Sequence, residues 1–257
     1  MYEAMMIAAT GLRHQQSRLD TIANNVANVN SVAFKSDRLD FKDALYTAGI
    51  VPGLPRTPSG NQQKGHGVMI AGITKDYSTG SIQTTGRDLD VAIEGEGFFE
   101  LEDSNGATAY SRNGSFELGE SDAGLFLVNG DGYYMHDTNG NRIQVPDGTD
   151  TINIAEDGTI SFMAGEEEQT AKLGVYTFRN ITGLLSAGSG NYSESVASGT
   201  KLPADGAVIR QGALEMSNVK LSEEMTRLIR TQRAFSLSSR ALTTADDMEG
   251  IANNMRK

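Results

Sequence analysis

Cysteine and tryptophan are absent from this chain of 257 residues, proline occurs five times, and aromatic residues make up 7%. Without cysteine there is no disulfide framework, no thiolate metal ligand and no thiol nucleophile, a composition that suits reducing and oxidising compartments alike. No run approaches the roughly eighteen apolar residues of a membrane-spanning helix. The start, Met1-Tyr2-Glu3-Ala4-Met5-Met6, has no basic leader ahead of an apolar core. A soluble chain without an ordinary secretion signal is therefore expected. Histidine is scarce, and His14, His66 and His136 are scattered, none with a second ligand at the spacing of a zinc site. Asp137-Thr138-Asn139-Gly140-Asn141 opens like a calcium loop, but Arg142 stands where that loop needs glycine and Gly148 where it needs a bidentate glutamate. A polar hairpin fits better. There is no G-x-S-x-G elbow, Walker phosphate loop or dinucleotide fingerprint. The carboxylate pairs Asp88/Asp90 and Glu94/Glu96 suit acid–base chemistry in principle, yet close pairs arise by chance among 33 acidic residues. No catalytic residue, metal or cofactor is expected.

Basic residues are also thin in the middle of the chain. The formal net charge is -11; residues 1–48 hold five basic and five acidic side chains, residues 218–257 hold seven and five, and the middle accordingly carries -13. Nucleic-acid binding is excluded as a function class, because phosphate contacts need a concentration of Lys and Arg that the middle lacks.

Two stretches, one at each end, carry apolar residues seven apart. Met5, Leu12, Leu19 and Val26 form the first ladder, supported by Tyr2, Ala9, Ile22 and Val29; Leu221, Leu228, Phe235 and Leu242 form the second, with Met225 beside it. The second ladder fails at Glu249, although Ala241, Ala245, Met248, Ala252 and Met255 continue an apolar stripe. Such a step is the seam of a helix that packs lengthwise on another helix. An ordinary intramolecular core satisfies the same periodicity; the terminal position of both seams favours assembly. Ser217 and Asn218 are candidate caps for the second helix, with Glu223 and Glu224 near its start where the helix dipole favours acid.

Between the ends the period changes. Phe34 to Tyr46 reads as a short helix or an extended arm. Residues 49–67, with Pro52, Pro55 and Pro58, read as an irregular connector that serves as an arm toward neighbouring subunits or as a flexible tether. Asn-Gly pairs then begin at Asn105, Asn113, Asn129 and Asn139, and Asp-Gly pairs at Asp131, Asp147, Asp157 and Asp205, flanked by alternating apolar residues such as Phe99 and Leu101 or Ile160 and Phe162. These are hairpin signals. The expected fold is α+β: paired, coiled-coil-like N- and C-terminal helices (1–35 and 218–257), a connector or arm (36–67) and a central antiparallel β-rich domain (68–217).

At Ala8-Ala9-Thr10-Gly11-Leu12 and Leu19-Asp20-Thr21-Ile22-Ala23-Asn24-Asn25-Val26-Ala27-Asn28-Val29-Asn30 the chain resembles the bacterial flagellar rod and hook family. Leu89 to Phe99, Tyr110 to Phe116, Gln211 to Val219 and Thr231 to Phe235 look like the family's central and C-terminal signatures, so the resemblance runs nearly end to end. It is nearest to the distal-rod branch, with the proximal-rod branch second; the opening Met5-Met6-Ile7 departs from the distal-rod pattern. The resemblance implies a structural subunit of the basal-body rod, exported through the flagellar export apparatus without a cleaved signal. It also implies polymerisation with copies of itself into a hollow helical drive shaft in the cell envelope, with other rod proteins and the hook protein as neighbours. On that reading Met5, Leu12, Leu19, Ile22, Val26, Leu221, Met225, Leu228, Phe235 and Leu242 are the subunit-packing residues, and Pro52, Pro55 and Pro58 mark an inter-subunit arm. A carbohydrate-binding or adhesive β domain tethered by a coiled coil, or an enzyme built on the carboxylate pairs, are the alternatives.

Overall fold

A single glycine and no proline interrupt the first 27 residues, and they form one α-helix, α1, Tyr2–Ala27. Ser17 and Thr21 return their hydroxyls to the carbonyls of Arg13 and Ser17, and Gln16 donates to Asp20 one turn on at 3.0 Å. The helix ends in the Asn28-Val29-Asn30 turn, where the amide of Ser31 meets the carbonyl of Asn28. Asparagine favours such local bonding over helix. In the computed structural model the described residues are 2–44, 46–49, 62–65, 67–121, 124–149, 151–164, 167–204 and 206–255. Pro52, Pro55, Pro58 and His66 lie outside them.

The chain divides into two compact units. The first comprises Met1–Ala27, Asp37–Lys75 and Lys220–Lys257. In it, α1 packs against a second helix, α2, Leu221–Asn254, and more lightly against an antiparallel pair of strands, Asp37–Asp43 with Val68–Lys75. Residues 37–43, expected within a connector, are thus a ladder strand. Leu39 and Phe41 supply its period-two apolar pattern, and a bulge after Asp40 shifts its register. Asn25, 1% exposed, holds the helix-to-strand turn with both ends of its amide: it donates to the carbonyl of Asp37 and accepts from that residue's N–H, each at 2.9 Å. The N-cap of α2 is Lys220, with no side-chain cap. Ser217 and Asn218 do not cap it. The Asn218 side chain instead accepts from the Ser36 amide and donates to the Asp76 carbonyl.

The second unit comprises Asn28–Ser36 and Asp76–Val219. Every ladder among its described strands is antiparallel. The central strand Phe98–Glu102 pairs with Thr108–Ser111 and Val175–Phe178. A meander of Thr151–Ile154, Thr159–Ala164 and Glu167–Lys172 lies beside the ladder of Val91–Glu94 with Val208–Gln211. Successive residues of a strand face opposite sides, and here Phe99 and Leu101 enter the main core with Phe116, Met135 and Ile160 while Phe98 enters an aromatic cluster with Tyr110, Phe178 and Tyr192. The Asn105-Gly106 and Asp157-Gly158 pairs turn hairpins, and Gly158 takes φ +84°. Asn113-Gly114 does not, because Gly114 lies so close to Val91 that a Cβ would sit 1.7 Å from the Val91 carbonyl oxygen.

Glu102 anchors the turn that begins Asp137-Thr138-Asn139. It accepts from Arg142 Nε and Nη2 at 2.9 and 3.0 Å and meets His136 Nε2 at 2.7 Å. The Arg142 hydrogen bonds, then that of His136, hold its carboxyl well below the usual range, at about 2. A depressed carboxylate stabilises the fold above its unfolded pKa and loses that contribution as pH falls toward the folded one. Glu102→Gln is therefore expected to cost about 2 kcal/mol at pH 7, with under half of that remaining at pH 3. Urea unfolding of both chains at the two pH values checks this; a pH-independent difference would contradict it.

Candidate functional site

The terminal helices carry the candidate site. On α1 the partly or fully buried positions Met5, Ala8, Leu12, Gln15, Leu19, Ile22 and Val26 alternate in steps of three and four; on α2 the same alternation runs through Glu224, Leu228, Thr231, Phe235, Ser238, Leu242 and Ala245. Two helices in contact keep their seams facing each other with this spacing. Met5, Leu12, Leu19, Ile22, Val26, Leu228, Phe235 and Leu242 are among these partly or fully buried positions. Leu221 and Met225 are exposed.

Three rungs of the α2 seam are polar, which apolar periodicity does not flag. Thr231 returns its hydroxyl to the carbonyl of Arg227 at 2.8 Å, which satisfies a buried donor within the helix. Glu224 is 4% exposed; its Oε1 accepts from Arg227 Nη1 at 2.6 Å, while Oε2 is buried without a hydrogen-bond partner. The carboxylate borders a cavity of about 310 Å³ shared with Arg18, Ile22, Asn25, Leu39 and Arg227. Arg18 and, one turn earlier on α1, His14 lie against the ring of Phe41, at 5.8 and 6.2 Å.

Apolar side chains also stand exposed on the outer faces of this unit, among charged ones. Met6 and Ile7 on α1, Met69 and Ile73 on the strand Val68–Lys75, Leu221, Met225, Ile229, Leu237, Met248 and Ile251 on α2, and Met255 at its C-cap all stand open to solvent. Leu237 is 65% exposed and Met255 81%. Scattered exposed apolar residues are ordinary, but this density on a two-helix unit is the mark of an interaction surface.

Three of the groups considered for chemistry are engaged by neighbours. Asp90 accepts from Thr85 Oγ1 at 2.6 Å, Glu94 pairs with Arg210 at 2.6 Å, and Asp137 Oδ1 accepts from the amides of Asn139 and Asn141. Among the described residues no cluster of three His, Cys, Asp or Glu is placed to hold a metal, and no helix is long and apolar enough to cross a membrane.

The chain matches known proteins along its length. Residues 5–35 match the family described as flagella basal body rod protein, residues 92–162 the flagellar hook protein FlgE/F/G D1 domain, and residues 210–255 the flagellar basal body rod FlgEFG protein C-terminal region. It is 37% identical to the flagellar basal-body rod protein FlgG of Bacillus subtilis and 38% identical to that of Borreliella burgdorferi, in each case across the whole of both chains. FlgG of Agrobacterium fabrum is 35% identical over 99% of each. Two helices bearing the terminal signatures, an antiparallel β-rich middle and full-length identity above a third lead to one conclusion: this chain belongs to the flagellar basal-body rod protein family.

Proposed function

We propose that the chain is a structural subunit of the flagellar basal-body rod, of the distal type, which polymerises with its own copies into the helical shaft that carries motor torque to the hook. One observation carries the reading. The two-helix unit leaves Met6, Met69, Ile73, Ile229, Leu237, Ile251 and Met255 in water, and at roughly 25 cal/mol per Å2 of apolar surface this exposure favours burial against further chains. The contact between α1 and α2 and the three-four spacing of their buried positions support coiled-coil-like pairing, and the exposed faces are left for neighbours. The -13 carried between the ends keeps such a polymer solvated. The bonding of Asp90, Glu94 and Asp137 supports a structural role over a catalytic one. Other rod proteins and the hook protein are the expected neighbours, the basal body in the cell envelope the site, and the flagellar export apparatus the route. The segment holding Pro52, Pro55 and Pro58 serves as an arm between subunits.

The test is assembly of the purified chain. Above a critical concentration it should form sedimentable rods of constant diameter, visible by electron microscopy. A chain that stays monomeric even when seeded with isolated basal bodies would overturn the reading.

A further inference from the structure

The charges of α2 are sorted along its length. No acidic residue stands between Met225 and Ala245, where Arg227, Arg230, Arg233 and Arg240 lie, and no basic residue stands between Ala241 and Met255, where Asp246, Asp247 and Glu249 lie. Arg227 pairs with Glu223 and Glu224. The other three arginines and the three acids form no ion pair among the described residues, where the ion pairs of α2 are confined to its first two turns. Arg233, Arg240 and Asp247 recur every seven residues, with Leu237 and Ile251 four residues beyond the first and the last. At 3.6 residues per turn all five share one face, opposite the Leu228-Phe235-Leu242 seam. From Asp246 onward every described residue to Met255 is exposed, with Met248 at 58% and Ile251 at 61%. The helix therefore ends in an acidic and apolar segment with nothing among the described residues covering it, and carries a basic and apolar stretch of the same kind two heptads earlier.

We propose that in the assembled rod the acidic end of α2 docks along the Arg230–Arg240 stretch of α2 in a second copy, offset by fourteen residues, about 21 Å along the helix. The proposal rests on the polymer reading and adds its register. Parallel copies without an offset set Arg233 on Arg233 and Asp247 on Asp247, like on like. An offset of seven relieves the second clash but brings Arg240 onto Arg233. An offset of fourteen sets Asp247 against Arg233 and Ile251 against Leu237, pairing opposite charges and burying two exposed apolar side chains together. Antiparallel pairing about the same centre sets Arg240 on Arg240. Because the offset contact uses two different patches, it is head-to-tail and propagates rather than closing into a dimer.

The absence of cysteine makes the test clean. Chains bearing Leu237→Cys and chains bearing Ile251→Cys, mixed, assembled into rods and mildly oxidised, should yield a disulfide-linked dimer that neither chain yields alone. Crosslinking of either chain alone, or none in the mixed rods, overturns the offset. A second arm covers weakened assembly of the cysteine chains. Arg233→Glu with Arg240→Glu should raise the concentration needed for rods at least about tenfold, and adding Asp246→Arg, Asp247→Arg and Glu249→Arg to the same chain should bring it back to within about threefold. A fully reversed chain no better than the half-reversed one refutes the proposal. Rods from the unmodified chain, with mixed cysteine rods that do not crosslink, refute the offset alone; no rods from the unmodified chain refute both the offset and the polymer reading.

Discussion

Glu215→Ala is expected to lower the stability of the β unit by about 3–5 kcal/mol, the usual cost of leaving a buried charge without its partner, and its thermal midpoint by roughly 10 °C. Glu215 is 1% exposed and lies between two buried cations: Lys35 Nζ reaches its Oε1 at 2.7 Å and Arg112 Nη1 its Oε2 at 2.9 Å. The amide of Gly80 donates to Oε1 at 2.8 Å, and Lys35 also donates to the Ser78 carbonyl. Burial pushes the Lys35 amine down, and Glu215 is the first group that opposes it. Removing that carboxylate leaves two cations, 2% and 4% exposed, with only carbonyl acceptors. Arg210→Ala is the control, since its pair with Glu94 is half in water and exposed pairs contribute less than about 1 kcal/mol. Thermal unfolding of the three chains decides it. Equal losses for Glu215→Ala and Arg210→Ala would show that the buried carboxylate is not what holds these segments together.

Leu228→Asp and Leu12→Asp are expected to abolish rod formation, raising the critical concentration more than about a hundredfold, while the β unit stays folded. Both side chains lie partly buried on the seams of α1 and α2, and a carboxylate against apolar neighbours costs several kcal/mol at every contact it spoils. Every copy in a polymer carries that defect, so it recurs along the whole shaft. Sedimentation reads assembly, and protease resistance of residues 76–219 reads the fold. Rods of normal length from either chain would remove the seam from the assembly mechanism.

How much of this was visible in the chain depends on distance along it. A step of seven places Met5, Leu12, Leu19 and Val26 on one face because a helix repeats locally. It does not show which face a neighbour covers once the helix has apolar residues on two sides, which is why Leu221 and Met225 stand exposed beside Leu228. Nor does it reveal Glu224, Thr231 and Ser238, whose polar side chains occupy seam rungs. Asn105-Gly106 and Asp157-Gly158 turn hairpins because the flanking strands need nothing more, whereas Asn113-Gly114 is claimed by the approach of Val91. Asp37 to Asp43 alternates only twice, at Leu39 and Phe41, too briefly to outvote the helix pattern around it. Lys35, Arg112 and Glu215 give no local sign at all, since the first and last are 180 residues apart.

That separation also governs when the β unit can finish folding. Its earliest segment, Ala33 to Lys35, bonds to Glu215, Ile82–Thr84 pairs with Ala213–Glu215, and Val91–Glu94 pairs with Val208–Gln211. These partnerships are nested, so loop after loop must close over most of the sequence before any of them is rewarded, and a topology dominated by such distant pairings folds slowly. A chain emerging from its N-terminus has its inner hairpins early but lacks the residues that seal the unit until almost everything has been delivered. Closure waits for the residues just ahead of α2, and the unit stays open until the last fifth of the chain is present.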